Sequence, residues 1–169
     1  MNLIQPVKNI TKSVSVWYSA PLSYFLKVGY DWVDKNITEK AFPPEKGGGK
    51  DGSVKSIMDG YAEVDLEFIC FDKELRKEEV EELLEKIYYR GATFREVLAL
   101  LRLQPDFLET YSPIIVMGST WTNPTGEKYL PSFTGDRCQK LLGLYWTSRV
   151  FHSNCWYAVV KKYKPIQRR

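Results

Sequence analysis

Residues 61–71 read YAEVDLEFICF, and apolar and acidic side chains alternate along them. Every second residue from Ala62 to Cys70 is small or apolar, and acids occupy the three odd positions from 63 to 67. Because successive side chains of a strand point to opposite faces of a sheet, the pattern predicts a β-strand with one face against a core. The rest of the chain must supply the cover for that apolar face.

Two amphipathic helices are predicted directly after this strand. Residues 76–89 place apolar side chains at i, i+3, i+4 and i+7, crowd glutamates into the first turns and are expected to end at Gly91. The sequence TFRE at 93–96 is a capping box, and it opens a second helix over residues 94–103, before Pro105. Few residues separate the helices, so we expect a short-linked pair that packs on the sheet.

The C-terminal part of the chain has the pattern of a β-sheet. Mostly short joins with strong turn signals, such as the sequence NPTG at 123–126, predict an antiparallel meander, and the sequence leaves its closure into a barrel open. The predicted fold class is therefore α+β, with this meander packed against the helix pair. The strand candidates are IIVMGSTW (114–121), EKYLPSF (127–133), QKLLGLYW (139–146) and CWYAVVKK (155–162).

A chain of this length is expected to form one compact domain. We divide it into an aromatic-rich N-terminal segment (1–42), a flexible glycine- and proline-containing loop (43–60) and an α+β core (61–169). Within the N-terminal segment, residues 14–33 fit the helical period and the strand period equally well.

The loop contains KGGGKDGS at 46–53, which invites comparison with a phosphate-binding loop. Such a loop needs a glycine, four further residues and then Gly-Lys-Ser/Thr. Here Pro44 occupies the position of the first glycine, and Asp51, which would repel phosphate, follows the lysine. We interpret the stretch as a mobile loop rather than a nucleotide site.

Charge and cysteine content limit the classes of protein. The 169 residues carry a net charge of +3 and three cysteines, Cys70, Cys138 and Cys155, a sparse and odd number that is typical of a reducing compartment. The N-terminal residues lack the apolar core of a signal peptide, and the longest aliphatic run, IIVM, is too short to span a membrane. We expect a cytoplasmic protein that contacts no membrane and uses no cofactor.

The C-terminal stretch combines cations with aromatic rings and contains no acid. Cations bind phosphates and rings stack on bases, so the stretch suits single-stranded nucleic acid, or else an acidic protein surface. A solvated, frayed terminus is the alternative. The leading hypothesis is a small non-enzymatic binding module, and its predicted contact residues are Trp156, Tyr157, Lys161, Lys162, Tyr163, Lys164, Arg168 and Arg169.

The acidic strand face supports a second hypothesis, a metal-dependent nuclease or phosphoesterase. Glu63, Asp65 and Glu67 are expected on one face with about 7 Å between successive residues, and enzymes of this kind hold Mg²⁺ with clustered acids and a lysine. Lys73 is nearby in sequence, but the usual Asp/Glu-x-Lys pattern is missing. The simpler interpretation is the solvated face of an antiparallel strand that holds no metal.

Two further features suggest other functions. The glutamate-rich helix 76–89 suits an inhibitor or assembly factor that acts by acidic mimicry. His152 and Cys155 are spaced closely enough to share a zinc ion or a catalytic role, but no CxxC pair and no orienting acid accompany them.

Overall fold

The computed structural model describes residues 4–27, 29–46, 55–58 and 60–162, and it shows a mixed α+β fold. The helices are α1 (Leu22–Leu26), α2 (Lys77–Lys86), α3 (Phe94–Leu103) and α4 (Phe107–Thr110). None of the helices in these ranges is long and apolar enough to cross a membrane. The strands are β1 (Lys8–Trp17), β2 (Trp32–Val33), β3 (Lys55–Met58), β4 (Tyr61–Cys70), β5 (Tyr89–Gly91), β6 (Ile114–Val116), β7 (Trp121–Thr122), β8 (Lys128–Gly135), β9 (Lys140–Trp146) and β10 (Trp156–Lys161).

The strands form one mixed sheet in the order β1-β4-β10-β6-β8-β9-β2. Three short strands lie beside this path, β3 next to β4, β5 next to β10 and β7 next to β8. The pairs β6–β10 and β2–β9 are parallel, whereas the other pairs are antiparallel. Across the described strands the sheet stays open between β1 and β2, so it does not form a barrel.

The alternating stretch YAEVDLEFICF forms β4, as its period predicts. Ala62, Val64 and Leu66 are buried on one face, and the acids between them face the other way. β4 pairs with β1 along ten residues on one edge, and with β3 and β10 on the other. The strand is therefore internal to the sheet, with its acidic row on an uncovered part of one face.

The last strand departs from the predicted meander. β6, β8 and β9 are antiparallel neighbours as expected, but β10 lies between β4 and β6 and runs parallel to β6. The nine-residue join between β9 and β10, TSRVFHSNC, allows this crossing, and its Phe151 is buried and bridges to Leu75. Residues 157–160 are buried without alternation, which is typical of a central strand covered on both faces.

The prediction that the helices form a pair on one side of the sheet is wrong. α3 packs with Val16, Leu66 and Ala158, whereas α2 packs with Leu75 and Val159 in a separate cluster. Neighbouring residues of β10 point to opposite faces, so the two clusters lie on the two sides of the sheet. The link between the helices crosses the sheet as β5, which pairs with β10.

The sequence predicted that the first helix ends at Gly91, and this prediction is wrong. α2 ends at Lys86 with Ile87 as its C-cap residue, and Tyr88 adopts the left-handed backbone conformation with φ 61°. Gly91 lies in β5 instead, where an added Cβ would come within 2.6 Å of the backbone nitrogen of Gly118. The glycine is needed for this close backbone approach rather than for a helix cap.

The N-terminal segment belongs to the same sheet. β1 extends along the whole of β4, and residues 14–33, whose period is ambiguous, contain the end of β1, the helix α1 and the short strand β2. Both periods were therefore present in that stretch. The loop prediction for KGGGKDGS falls, beyond Lys46, outside the described residues.

The first turn of α3 holds a buried carboxylate, that of Glu96. Its oxygens accept hydrogen bonds from the hydroxyl of Tyr18 at 2.7 Å and from the two terminal nitrogens of Arg90 at 2.7 and 3.0 Å. The backbone N–H of Thr93 donates to it at 2.8 Å, which completes the predicted capping box. Burial, and then the neighbouring carboxylate, raise the pKa of Tyr18.

The preceding residue of α3, Arg95, is also buried, and its hydrogen bonds hold the N-terminal segment against the helix. Its guanidinium donates to the backbone carbonyl oxygens of Ala20 at 3.3 Å and Phe42 at 2.8 Å, and to the carboxylate of Glu39 at 3.2 Å. The carboxylate of Glu45 accepts its backbone N–H at 3.2 Å. The helix is a core helix, because its residues from Phe94 to Leu101 are buried.

Candidate functional site

Of the predicted nucleic-acid-binding residues, some lie on the surface and others are buried. Trp156 is half-buried with its ring edge-on to Tyr111 at 5.0 Å, and Lys161 is exposed. Tyr157 is only 1% exposed, so it offers no ring to a ligand, and Lys162 forms an ion pair with Glu85. Four other predicted residues, Tyr163, Lys164, Arg168 and Arg169, lie outside the described residues.

The three strand carboxylates share a face, and two of them accept hydrogen bonds from neutral donors. Ser13 donates its hydroxyl to Asp65, while Asn9 at 2.9 Å and the hydroxyl of Tyr89 at 2.7 Å both donate to Glu67. Burial, and then the hydrogen bond to this carboxylate, raise the pKa of Tyr89 to about 12.

No metal-binding group of three or more acids, histidines or cysteines occurs in the described part of the chain. The third carboxylate of the strand, Glu63, is exposed, and Lys73 lies in the loop before α2. Asp65 is likewise exposed, whereas Glu67 is half-buried.

Lysines neutralise much of the acidic helix α2. Lys77 pairs with Glu81 and Lys86 pairs with Glu82, both at the i, i+4 spacing, and the hydrogen bond from Lys86 lowers the pKa of Glu82. Glu85 pairs with Lys162, and Glu79 accepts the backbone N–H of Arg76 at the helix start. These contacts leave α2 with a weaker negative field than its sequence suggests.

The histidine and the cysteines do not form a common site. His152 is exposed and its carbonyl oxygen accepts the N–H of Cys155 within a turn, whereas Cys155 and Cys70 are buried and Cys138 is exposed. Burial raises the pKa of the Cys155 thiol to about 11. The thiol is therefore protonated at neutral pH, which disfavours a nucleophilic role.

An open groove of about 520 Å³ lies between residues 35–41 and residues 120–124 around β7. Its lining includes the side chains of Lys35 and Lys40 and the partly exposed ring of Trp121, together with backbone and side-chain amides and hydroxyls. Among the described residues, its lining contains no carboxylate, and neither lysine forms an ion pair. The groove is therefore suited to an anion with a flat apolar part.

A tight turn positions one wall of this groove. The side-chain oxygen of Asn123 accepts the backbone N–H groups of Thr125 at 3.0 Å and Glu127 at 2.9 Å, and Gly126 takes φ 89°. The turn predicted from NPTG is thereby confirmed, and it sets Trp121 opposite Tyr129 on β8 with ring centroids 5.6 Å apart. The turn was predictable from the sequence, whereas the groove was not, because residues 35–41 approach the turn only in the folded chain.

A second pocket, of about 220 Å³, lies at the end of β1 against α1 and α3. The rings of Trp17 and Tyr61 stack at 5.5 Å, Tyr24 meets Trp17 edge-on at 5.2 Å, and the guanidinium of Arg102 lies 4.1 Å from the centre of the Tyr24 ring. The aromatic share of 14% was the only signal of such a cluster in the sequence, because its members come from four elements.

No family model, no curated protein and no solved structure matches the chain. The fold defines its class as mixed α+β with an open sheet. A fold of this kind hosts many functions, so function has to be argued from the chemistry of the surface.

Proposed function

We propose that the protein is a non-enzymatic binding module for single-stranded nucleic acid. The observation that carries the proposal is the groove of Lys35, Lys40 and Trp121, which combines two unpaired cations with a partly exposed ring among the described residues. Cations that follow a phosphate backbone and an aromatic ring that stacks on a base are the usual components of such a surface.

The groove supports this function better than the described part of the C-terminal stretch. There, Tyr157 is buried and Lys162 is paired with a carboxylate, which leaves Lys161 as the exposed cation. The contact surface that we propose is therefore the groove, with the cationic C-terminal residues as an additional source of phosphate contacts.

The contacts of the strand carboxylates give less support to the alternative function, a metal-dependent nuclease or phosphoesterase. A metal-dependent nuclease would need carboxylates free to hold Mg²⁺, whereas Asp65 and Glu67 accept hydrogen bonds from neighbouring side chains. The inhibitor alternative is weakened in the same way by the lysines along α2.

Binding to labelled oligo-uridine and oligo-thymidine of about 12 nucleotides, within the usual site size, tests the proposal. Fluorescence anisotropy across a salt series should show affinity that falls as salt rises. Each lysine–phosphate contact on a single strand contributes about 0.7 to the slope of log K against log salt, so Lys35→Gln with Lys40→Gln should lower that slope by about 1.4.

Exposed side chains elsewhere provide matched controls. Lys27→Gln with Lys73→Gln removes the same charge outside the groove and should leave the slope as it is in the parent. Trp121→Leu should weaken binding by about 1–3 kcal/mol through lost stacking, whereas Trp32→Leu, at a ring that is 51% exposed, should not. Undetectable binding by the parent protein, or equal slopes in both lysine pairs, would contradict the proposal.

A further inference from the structure

We propose that the outer edge of β1 and the pocket at its end form a docking site for an extended acidic peptide of a partner protein. The peptide would add to the sheet as a strand and place an apolar side chain and a carboxylate in the pocket. This surface is separate from the nucleic-acid groove, and the proposal does not depend on it.

The backbone of β1 has a free edge. The N–H of Tyr18 donates to Gly60, the register partner that continues the β1–β4 pairing, so the even-numbered residues of β1 bond to β4. The N–H and C=O groups of Thr11, Ser13 and Ser15 consequently point outward. No strand among the described residues pairs with that edge, which makes β1 a template for strand addition.

The pocket begins where this edge ends. Ser15 and Trp17 of β1 line it, and the side chains of Leu103, 63% exposed, and Tyr61, 37% exposed, lie at its border. Large apolar surface that remains exposed beside a concave site is typical of interaction surfaces. A peptide lying along β1 would therefore bring one of its side chains directly to the pocket.

Charge selects an acidic peptide. The guanidinium of Arg102 stacks on Tyr24, and its Nε atom is buried without a hydrogen-bond partner among the described groups. The described lining contains no carboxylate, so a carboxylate from the peptide would be the counter-ion of this guanidinium. Lys8 and Lys12 add positive charge on the face of β1 that carries Val14 and Val16, opposite to the acidic row of β4, and lysines on an edge strand disfavour pairing with a second copy.

Nuclear magnetic resonance titration of the full chain tests the proposal with a defined probe, the peptide acetyl-Thr-Val-Glu-Phe-Glu-Val-Thr-amide. Amide shifts should change along residues 11–15 and at Arg102 and Leu103. The same peptide with lysine in place of both glutamates should bind about tenfold more weakly. Equal affinities, or shift changes confined to other regions, would overturn the proposal.

Backbone methylation of the peptide separates strand addition from simple pocket binding. Only alternate N–H groups of an added strand face β1, so methylation of one alternating set should abolish binding while methylation of the other set should leave it intact. Two equally active methylated peptides would refute strand addition. A dimer of the free protein with its interface along residues 11–15 would instead identify a second copy as the occupant and overturn the proposal.

Substitution in the protein gives an independent measurement. Arg102→Met keeps an unbranched apolar stem but removes the guanidinium, so it should remove the preference for the acidic peptide over its lysine counterpart. The matched control Arg137→Met lies in the exposed turn between β8 and β9 and should retain the preference. If Arg102→Met retains it too, the assignment of Arg102 as the carboxylate partner is wrong.

Discussion

Glu96→Gln offers the sharpest test of how the fold is held together. The carboxylate is 1% exposed and accepts hydrogen bonds from Tyr18, Arg90 and Thr93, so the substitution removes a buried charge while preserving the shape of the side chain. It also removes the negative charge that the guanidinium of Arg90, which is 19% exposed, contacts in the parent protein. The substitution also places an NH₂ group where Glu96 has an oxygen that accepts a hydrogen bond, so two donors face each other there.

The expected loss follows from the burial of the pair. Removing one partner of a buried ion pair typically costs about 3–5 kcal/mol, and partial exposure of Arg90 places this case at the lower end, near 3 kcal/mol. For a chain of 169 residues that loss corresponds to a fall in Tm of about 8 °C. Urea denaturation followed by circular dichroism, together with thermal unfolding, measures both quantities.

A control and a second variant make the result interpretable. Glu109→Gln removes an exposed carboxylate from α4 and should change the free energy of unfolding by less than about 0.5 kcal/mol. Tyr18→Phe removes one donor to Glu96, and its effect should be non-additive with Glu96→Gln because the two side chains share a hydrogen bond. A loss below about 1 kcal/mol for Glu96→Gln would refute the view that the buried Glu96–Arg90 pair contributes substantially to stability.

Two further predictions concern ionisable groups. Of the three thiols, exposed Cys138 should react first with a disulfide reagent, while Cys70 and Cys155 should react only on unfolding; a fast phase that survives Cys138→Ser would contradict this. Burial raises the pKa of Glu45 above its ordinary value of 4.5, so its contribution to stability is present below that value and is lost as pH rises through the folded-state pKa. Urea unfolding from about pH 4 to pH 7 should therefore show a flatter pH dependence for Glu45→Gln, and an unchanged profile would exclude Glu45 as the cause.

Local features of the chain were predictable because their signals lie within a few residues of one another. The alternation of YAEVDLEFICF defined β4, the sequence TFRE defined the start of α3, and NPTG defined the turn beside the groove. The mixed α+β class followed from the same periods. Helical and strand periods, caps and turns are set by backbone geometry and nearby side chains, which the sequence shows directly.

Tertiary structure alone decided the order of the strands and the surfaces that this order creates. The apolar run of β10 predicted a strand, but its place between β4 and β6 depends on burying both of its faces at once, and that placement removes Tyr157 from the surface. Likewise, the sequence shows that residues 35–41 and residues 120–124 are each polar. It does not show that the two segments line one groove, because contact between distant segments depends on the packing of the whole sheet.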